Sequence, residues 1–349
     1  MRVLILSNRA PVTSLAEACA FDLEDAFADA VGAEIWPVRD RAAEPTRRDY
    51  DLVIAAGTSY LEVEDALRLA GTARRGALTV GYLFGAYASV LTKTRPPRPY
   101  SRRLRPKLWW LKRLDHLFVG MRENVDLLAG ALGVPVTYVP MAANVKAVAA
   151  RPFGARADRP ISVAGYGRQH PAFASALGRR LNAPGSGELF YHTNWYRSGA
   201  VTDRARYREM FWQILRQSRV ALAFDHLFAD PGQRGELSYV GPRWFESLAA
   251  GCVIAGVAPR TDEARRLLDW TDATVELPEE AEAGAEALIA LLADEDRLRA
   301  ASAETLRQMR LRHDWRHRLR DMLEALGMDA APVAPAIAAL ADQARAGAA

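Results

Sequence analysis

The stretch YVGPRWFESLAAGCVIAG, residues 239–256, holds a turn, a helix and a strand with almost nothing between them. Gly241-Pro242 is a turn, and a proline near the first helical position suits a helix N-terminus, so Arg243 to Glu246 occupy the first turn. Ala249, Ala250 and Gly251 let the helix approach a sheet closely. Gly251 can end it in a left-handed cap before the apolar run CVIAGV, 252–257, begins as a strand.

The same rhythm extends outward in both directions. Upstream in the same half, ISVAGYG (161–167), ELFYHTNW (188–195) and VALAFDH (220–226) read as strands, and ATVELP (273–278) follows. Helices fall at about 171–182, 205–218, 243–250 and 261–269, with several more from 279 to 326. The N-terminal half repeats the pattern: strands at 2–7 (RVLILS), AEIWPV, 51–57, 77–85, LDHLFVG and VPVTYVP, with helices at 14–31, LEVEDALRLAG and ENVDLLAGALG. Short apolar runs alternating with amphipathic helices predict open, mostly parallel sheets. The rhythm breaks at MAANVKAVAARPFGARADRP. The expected organisation is α/β, with two Rossmann-like doubly wound domains facing across a cleft: 1–145, a linker at 146–160, 161–330, and an alanine-rich helix or frayed tail at 331–349. A length of 349 residues also favours two domains.

Half the residues are apolar and a quarter charged, the composition of a soluble globular protein. The net charge is +4, and only four of the 46 basic residues are lysines. Two cysteines, Cys19 and Cys252, cannot make a disulfide framework and read as buried thiols. The N-terminal apolar run is too short for a signal peptide or a membrane span, so a cytoplasmic location is expected.

Chemistry concentrates around the opening stretch. Unpaired amides at a helix N-terminus attract phosphate, and an arginine fork such as that of Arg243 binds phosphate oxygens in pairs. A carboxylate one turn on, Glu246, can accept both hydroxyls of a ribose, which phosphate cannot do. Together these describe a nucleoside diphosphate site. The alternative is that Glu246 complements the helix end and pairs with Arg243.

R-x-F-E-S-L-A-A-G-C-V-I-A at 243–255 resembles the donor segment of group 1 glycosyltransferases of the GT-B fold, particularly the branch of spore-maturation glycosyltransferases. The resemblance runs from ISVAGYGR to HDWRHRLRDMLEALG and is weak in the first half. It implies an acceptor domain followed by a nucleotide-sugar domain, Glu246 on the donor ribose, transfer with retention of anomeric configuration, and a role in bacterial cell-surface polysaccharide or glycoconjugate synthesis. Two positions depart from the family. Many members carry a glutamate facing the donor sugar eight residues before the ribose-binding one, where this chain has Ser238, with Glu236 two residues earlier. Many also carry an arginine and a lysine five residues apart on the diphosphate. Arg168 matches the first and Phe173 replaces the second.

Gly165 and Gly167 allow close backbone approach to a ligand, and Arg168 could neutralise a leaving diphosphate. His170, His192 and His226 lie at or near strand ends, with His170 and His226 the catalytic candidates. His226 opens a long glycine-rich loop that could close over a donor. His313 and His317 have the spacing of metal ligands but lie on an arginine-rich stretch without an acidic or cysteine partner, which reads as a solvated or interdomain helix, and Asp294, Glu295 and Asp296 read as a helix cap. No metal and no cofactor beyond the donor substrate are expected.

Between Lys93 and Arg113 the chain holds nine basic residues and no acid, with tryptophans interleaved. Lys93, Arg95, Arg102, Arg103, Arg105, Lys107, Trp109 and Trp110 suit a lipid-linked acceptor or peripheral contact at the inner membrane face rather than nucleic acid. A solvated loop leading into a helix whose tryptophans enter the core is the alternative. Loops 7–14, 57–62 and 84–87 would line a glycan, lipid-linked or small-molecule acceptor. The rivals to a glycosyltransferase are a nucleotide-sugar epimerase of the same architecture and a non-enzymatic binder of anionic surfaces.

Overall fold

The computed structural model describes residues 1–9, 18–40, 45, 49–71, 76–85, 108–167, 169–193, 203–229 and 237–347. The chain divides into two compact units, 1–144 with 315–339 and 145–314 with 340–349.

The first unit is built on β1 (Val3–Ser7), β2 (Glu34–Pro37), β3 (Leu52–Gly57), β4 (Leu78–Leu83), β5 (His116–Val119) and β6 (Val136–Tyr138). Their order is β2-β1-β3-β4-β5-β6, and every neighbouring pair is parallel. β1 and β3 are buried along their whole length, which explains why their sequences are unbroken apolar runs rather than alternating ones. The helix Tyr60–Ala70 is started by Ser59, whose hydroxyl accepts from the Glu62 amide. Val125–Leu132 ends at Gly133 in the left-handed conformation that glycine tolerates.

The helix Trp315–Ala325, expected in the second domain and read as a solvated or interdomain helix, belongs to the first unit and is largely buried. The Trp315 indole meets the rings of Tyr82 and Phe84 edge-on, at 5.5 and 5.3 Å. Two of the arginines that suggested solvent find partners inside: Arg316 pairs with Asp29 at 2.7 Å, and Arg318 donates to the Met141 carbonyl.

The second unit is built on β7 (Ile161–Tyr166), β8 (Phe190–Thr193), β9 (Ser218–Phe224), β10 (Val253–Val257) and β11 (Val275–Glu276), in the order β11-β10-β9-β7-β8, again all parallel. Phe173, Phe190, Phe224, Leu288 and Leu292 pack in its core with Phe153. Phe153 and Arg159 belong to the segment expected as a linker. The segment is instead part of this unit, because Phe153 is buried and the Arg159 guanidinium, itself 2% exposed, donates to the carbonyls of Arg151, Ser218 and Ala250. The tail is helical: Ala331–Val333 leads into Ala334–Ala346, which buries Leu340 and Ala344. Asp294 caps Glu295–Arg312 by accepting from the Arg297 amide at 3.1 Å, as expected. Neither cysteine is in a disulfide and both are buried, and burial pushes the Cys252 thiol up to about 11.

Gly251 has φ +73°, the left-handed cap anticipated at the end of Pro242–Ala249. A Cβ there would lie 2.8 Å from Arg159 Nη2 and 3.1 Å from Leu306. Gly178, inside the helix Pro171–Leu181, has open space around it. Gly251→Ala is expected to cost about 1–2 kcal/mol from the left-handed backbone alone, whereas Gly178→Ala should stabilise by roughly 0.5–1 kcal/mol. Urea denaturation of the two variants checks the opposite signs.

Candidate functional site

In the second unit the strand order reverses direction between β7 and β9, and ligands of open parallel sheets bind outside the carboxyl ends of the strands at such a point. What stands there can be built up from β7. Gly165 leaves room for the neighbouring Phe190 ring, since a Cβ would lie 3.1 Å from it. Tyr166 ends the strand, and Gly167 turns the chain with φ +67°, where a Cβ would lie 2.9 Å from Arg243 Nη2. The glycines therefore give room to the Phe190 ring and the Arg243 guanidinium, so the backbone approach here is to side chains of the same unit. Arg168 lies outside the described residues.

The Tyr166 hydroxyl is buried, 3.1 Å from the Arg243 carbonyl, to which it donates, and 3.0 Å from Ser247 Oγ. Burial, reinforced by the nearby Glu246 carboxylate, raises its pKa well above the usual phenol value, so it stays neutral and keeps its proton to donate. Through it the end of β7 is fastened to the helix Pro242–Ala249.

That helix begins as expected. Gly241 is extended at the N-cap with φ −84° and ψ 176°, Pro242 takes the first helical position, and no side chain caps the first turn among the described residues. Pro242 has no amide hydrogen and the Trp244 amide donates to the Gly241 carbonyl at 3.1 Å, so what the first turn offers an anion is the positive end of the helix dipole. Glu246, 8% exposed, sits one turn in. Its Oε1 accepts from Arg208 Nη2 at 2.6 Å, and its Oε2 has only a long 3.5 Å contact with the Tyr166 hydroxyl. Arg208 in turn lies over the rings of Trp212 and Phe211, at 4.3 and 4.6 Å. The carboxylate is therefore oriented by a stacked guanidinium while one oxygen keeps capacity for further donors.

The sequence singled out Gly165, Gly167, Arg243 and Glu246, and the structure brings these four to one place. It adds Tyr166, Ser247 and Arg208. Ser247 and Tyr166 lay inside the quoted motifs, but the pairing of a helix-204–216 arginine with a residue 38 positions on had no local signal. The histidines stand elsewhere on the rim. His170 is the N-cap residue of Pro171–Leu181, with its ring stacked on Phe228 at 4.9 Å and edge-on to Phe173 at 5.7 Å. Its Nδ1 is buried without a hydrogen-bond partner among the described residues. His226 opens the short helix His226–Ala229, and its ring lies 6.1 Å from that of Tyr239. His192 is exposed on β8, stacked on Phe190. No group of three or more His, Cys, Asp or Glu side chains with metal-binding geometry occurs among the described residues.

Residues 168–324 match a protein-family model described as glycosyl transferase-like. The whole chain is similar in fold to HepE of Anabaena, solved in complex with UDP and with UDP and glucose. The TM-scores are 0.52 and 0.54 at 10% and 11% identity, over 94% of this chain and 100% and 99% of that one. It is also similar to an alpha-glucosyltransferase solved with UDP and a 13-mer DNA, with TM-score 0.57 at 11% identity over 94% and 99% of the two chains. The chain has the GT-B fold, and its residues 168–324 are similar to a glycosyl transferase-like domain. Among curated proteins no relative is found by sequence. The matched residues include Arg208, Arg243, Glu246 and Ser247 but not Gly165, Tyr166 or Gly167, so the family match covers most of the local arrangement.

Removing Arg208 would leave the Glu246 charge buried and unpaired. Arg208→Ala is expected to lose about 3 kcal/mol of stability, and adding Glu246→Gln should recover much of it. A double-mutant cycle by urea denaturation measures both.

Proposed function

We propose that this protein is a glycosyltransferase that moves a sugar from a nucleoside diphosphate donor to a glycan, lipid-linked or small-molecule acceptor in bacterial glycoconjugate synthesis, in the branch resembling spore-maturation glycosyltransferases. The observation that carries the reading is Glu246: a buried carboxylate one turn into an uncapped helix at a switch point, held by Arg208 with an oxygen to spare. In this reading the ribose hydroxyls donate to Glu246, while the diphosphate meets the positive end of the helix with the Arg243 guanidinium beside it. Arg168 assists the departing phosphate. The leaving diphosphate then carries its developing charge against donors already in place, which lowers the barrier without reorganisation. His170 and His226 are the proposed acid–base residues, and retention of configuration follows from the family resemblance. HepE and the alpha-glucosyltransferase were solved with UDP, which makes uridine the first base to test.

Calorimetric titration with UDP, GDP, ADP and dTDP is the test. One nucleotide should bind selectively and weaken by about tenfold or more in Glu246→Ala, the size of a lost charge-assisted hydrogen-bond pair. If none of the four binds the folded protein, the proposal fails. An epimerase would turn over the donor without acceptor.

The acceptor side has its own support. Trp109 is 56% exposed and carries the Arg113 guanidinium 3.3 Å above its ring, at the end of the acid-free basic stretch whose residues 93–107 lie outside the described ones. Trp110, by contrast, packs on the core. No helix among the described residues is long and apolar enough to cross a membrane. An exposed tryptophan beside clustered arginine and lysine suits the interface of an anionic bilayer. The protein is expected to co-sediment with phosphatidylglycerol vesicles and not with phosphatidylcholine ones. Trp109→Ala with Lys112→Glu and Arg113→Glu should weaken that binding, as should raised salt.

A further inference from the structure

Glu246 serves one side of the switch point, and the carboxyl end of β9 supplies a second carboxylate on which the donor reading makes no demand. Asp225 follows Phe224 directly and is 8% exposed. Its amide donates to the Val257 carbonyl at 2.7 Å, which pins its backbone to the neighbouring strand. Its Oδ2 accepts from Ser238 Oγ at 2.9 Å. Its Oδ1 is buried and makes no hydrogen bond of full geometry among the described residues, with the amides of His226 and Leu227 its nearest donors along the chain. Burial raises its pKa above the usual carboxylate range, with Ser238 and the amides of His226 and Leu227 opposing the rise. A buried carboxylate oxygen without a donor is costly unless something supplies one.

Position says what would supply it. Ser238 lies four residues before Pro242, so the group that orients Asp225 is within about 14 Å of chain from the helix start that would receive the diphosphate. That span is the scale of a sugar joined to a diphosphate. Glu246 lies past the helix start and Asp225 before it, on the strand that flanks the other side of the reversal from β7. A ligand whose diphosphate meets the helix and whose ribose meets Glu246 has one part left, the sugar to be transferred. Its hydroxyls are donors of the kind that the unserved oxygen requires.

Resting on the donor-site reading above, we infer that Asp225, oriented by Ser238, is a specificity-determining residue that accepts a hydrogen bond from a hydroxyl of the transferred sugar. Serine fixes one oxygen by donating to it, which leaves the other aimed as an acceptor only. The pair thereby selects a sugar that presents a donor at that position and disfavours one that presents an anion.

The test compares each of UDP, GDP, ADP and dTDP with its glucose ester in calorimetric titrations of wild type, Asp225→Ala, Asp225→Asn and Ser238→Ala. Asp225→Ala should bind the bare diphosphate within about twofold of wild type and the glucose ester about tenfold to a hundredfold more weakly. Asp225→Asn, which keeps an acceptor without charge, and Ser238→Ala, which frees the carboxylate, should fall between. These two also keep the inference testable if the alanine variant at 225 does not fold. Diphosphate binding retained with an unchanged preference for the ester in the folded variants overturns the inference and leaves the donor site standing. Equal weakening of diphosphate and ester also overturns it, since Asp225 would then act on the nucleotide or on the fold. Absence of binding by all four diphosphates to wild type overturns the donor-site reading and the inference together.

Discussion

The hydroxyl of Tyr166 is the point on which the second unit's ligand-facing end depends. It reaches from the last residue of β7 to the Arg243 carbonyl and the Ser247 hydroxyl, and so fixes the helix Pro242–Ala249 relative to the strand. The buried face of the helix packs it on the sheet, and that bond ties its first turns to the end of β7. A tyrosine suits the task because its ring fills apolar space while its single polar atom reaches a partner at the far side. Phe211 meets the Tyr166 ring edge-on at 5.0 Å and also lies under Arg208, so the same aromatic group supports the tyrosine and the guanidinium that holds Glu246.

Charge is handled in this unit by surrounding buried ions with fixed dipoles and counter-ions rather than by leaving them to water. Arg208 answers Glu246, and Arg219 answers Glu188. Arg159 has carbonyls instead of a carboxylate, and burial lowers its pKa without neutralising it at ordinary pH. The carbonyls it satisfies include that of Ala250, at the end of the same helix whose beginning faces the candidate donor. One helix therefore has an arginine at its C-terminal carbonyls and no side-chain cap at its start, and the arginine agrees with its dipole.

Much of this was legible beforehand, for physical reasons that differ from element to element. Parallel strands buried on both faces leave continuous apolar runs, so VALAFDH and CVIAGV could be read directly as β9 and β10 with only their ends shifted. Proline at the start and glycine at the end of Pro242–Ala249 specify backbone conformations that few other residues adopt, and the structure has both. Arg208 was invisible because a salt bridge has no periodicity, and its helix is polar enough to pass for a surface element. Trp315–Ala325 misled in the opposite way: a run as charged as WRHRLRDMLEA looks solvated, yet Asp29 and the Met141 carbonyl supply the partners that let its arginines be buried. The stretch around Arg159 resembled a linker because proline, glycine and arginine mask a packed segment whose partners are backbone carbonyls, which no side-chain pattern can report.

The way the first unit is assembled from separated parts of the chain carries a consequence for its biosynthesis. Trp315 completes the aromatic cluster with Tyr82 and Phe84, and its amide donates to the Ala143 carbonyl, yet all of the second unit's sheet is encoded between Ala143 and Trp315. As the polypeptide emerges from the ribosome, the second sheet is fully synthesised before the first unit receives its last helix. The first-made half must wait with an apolar surface open around Tyr82 and Phe84, while the later-made half can collect its own core. Nascent chains halted before residue 315 would therefore be the species most exposed to chaperones and proteases.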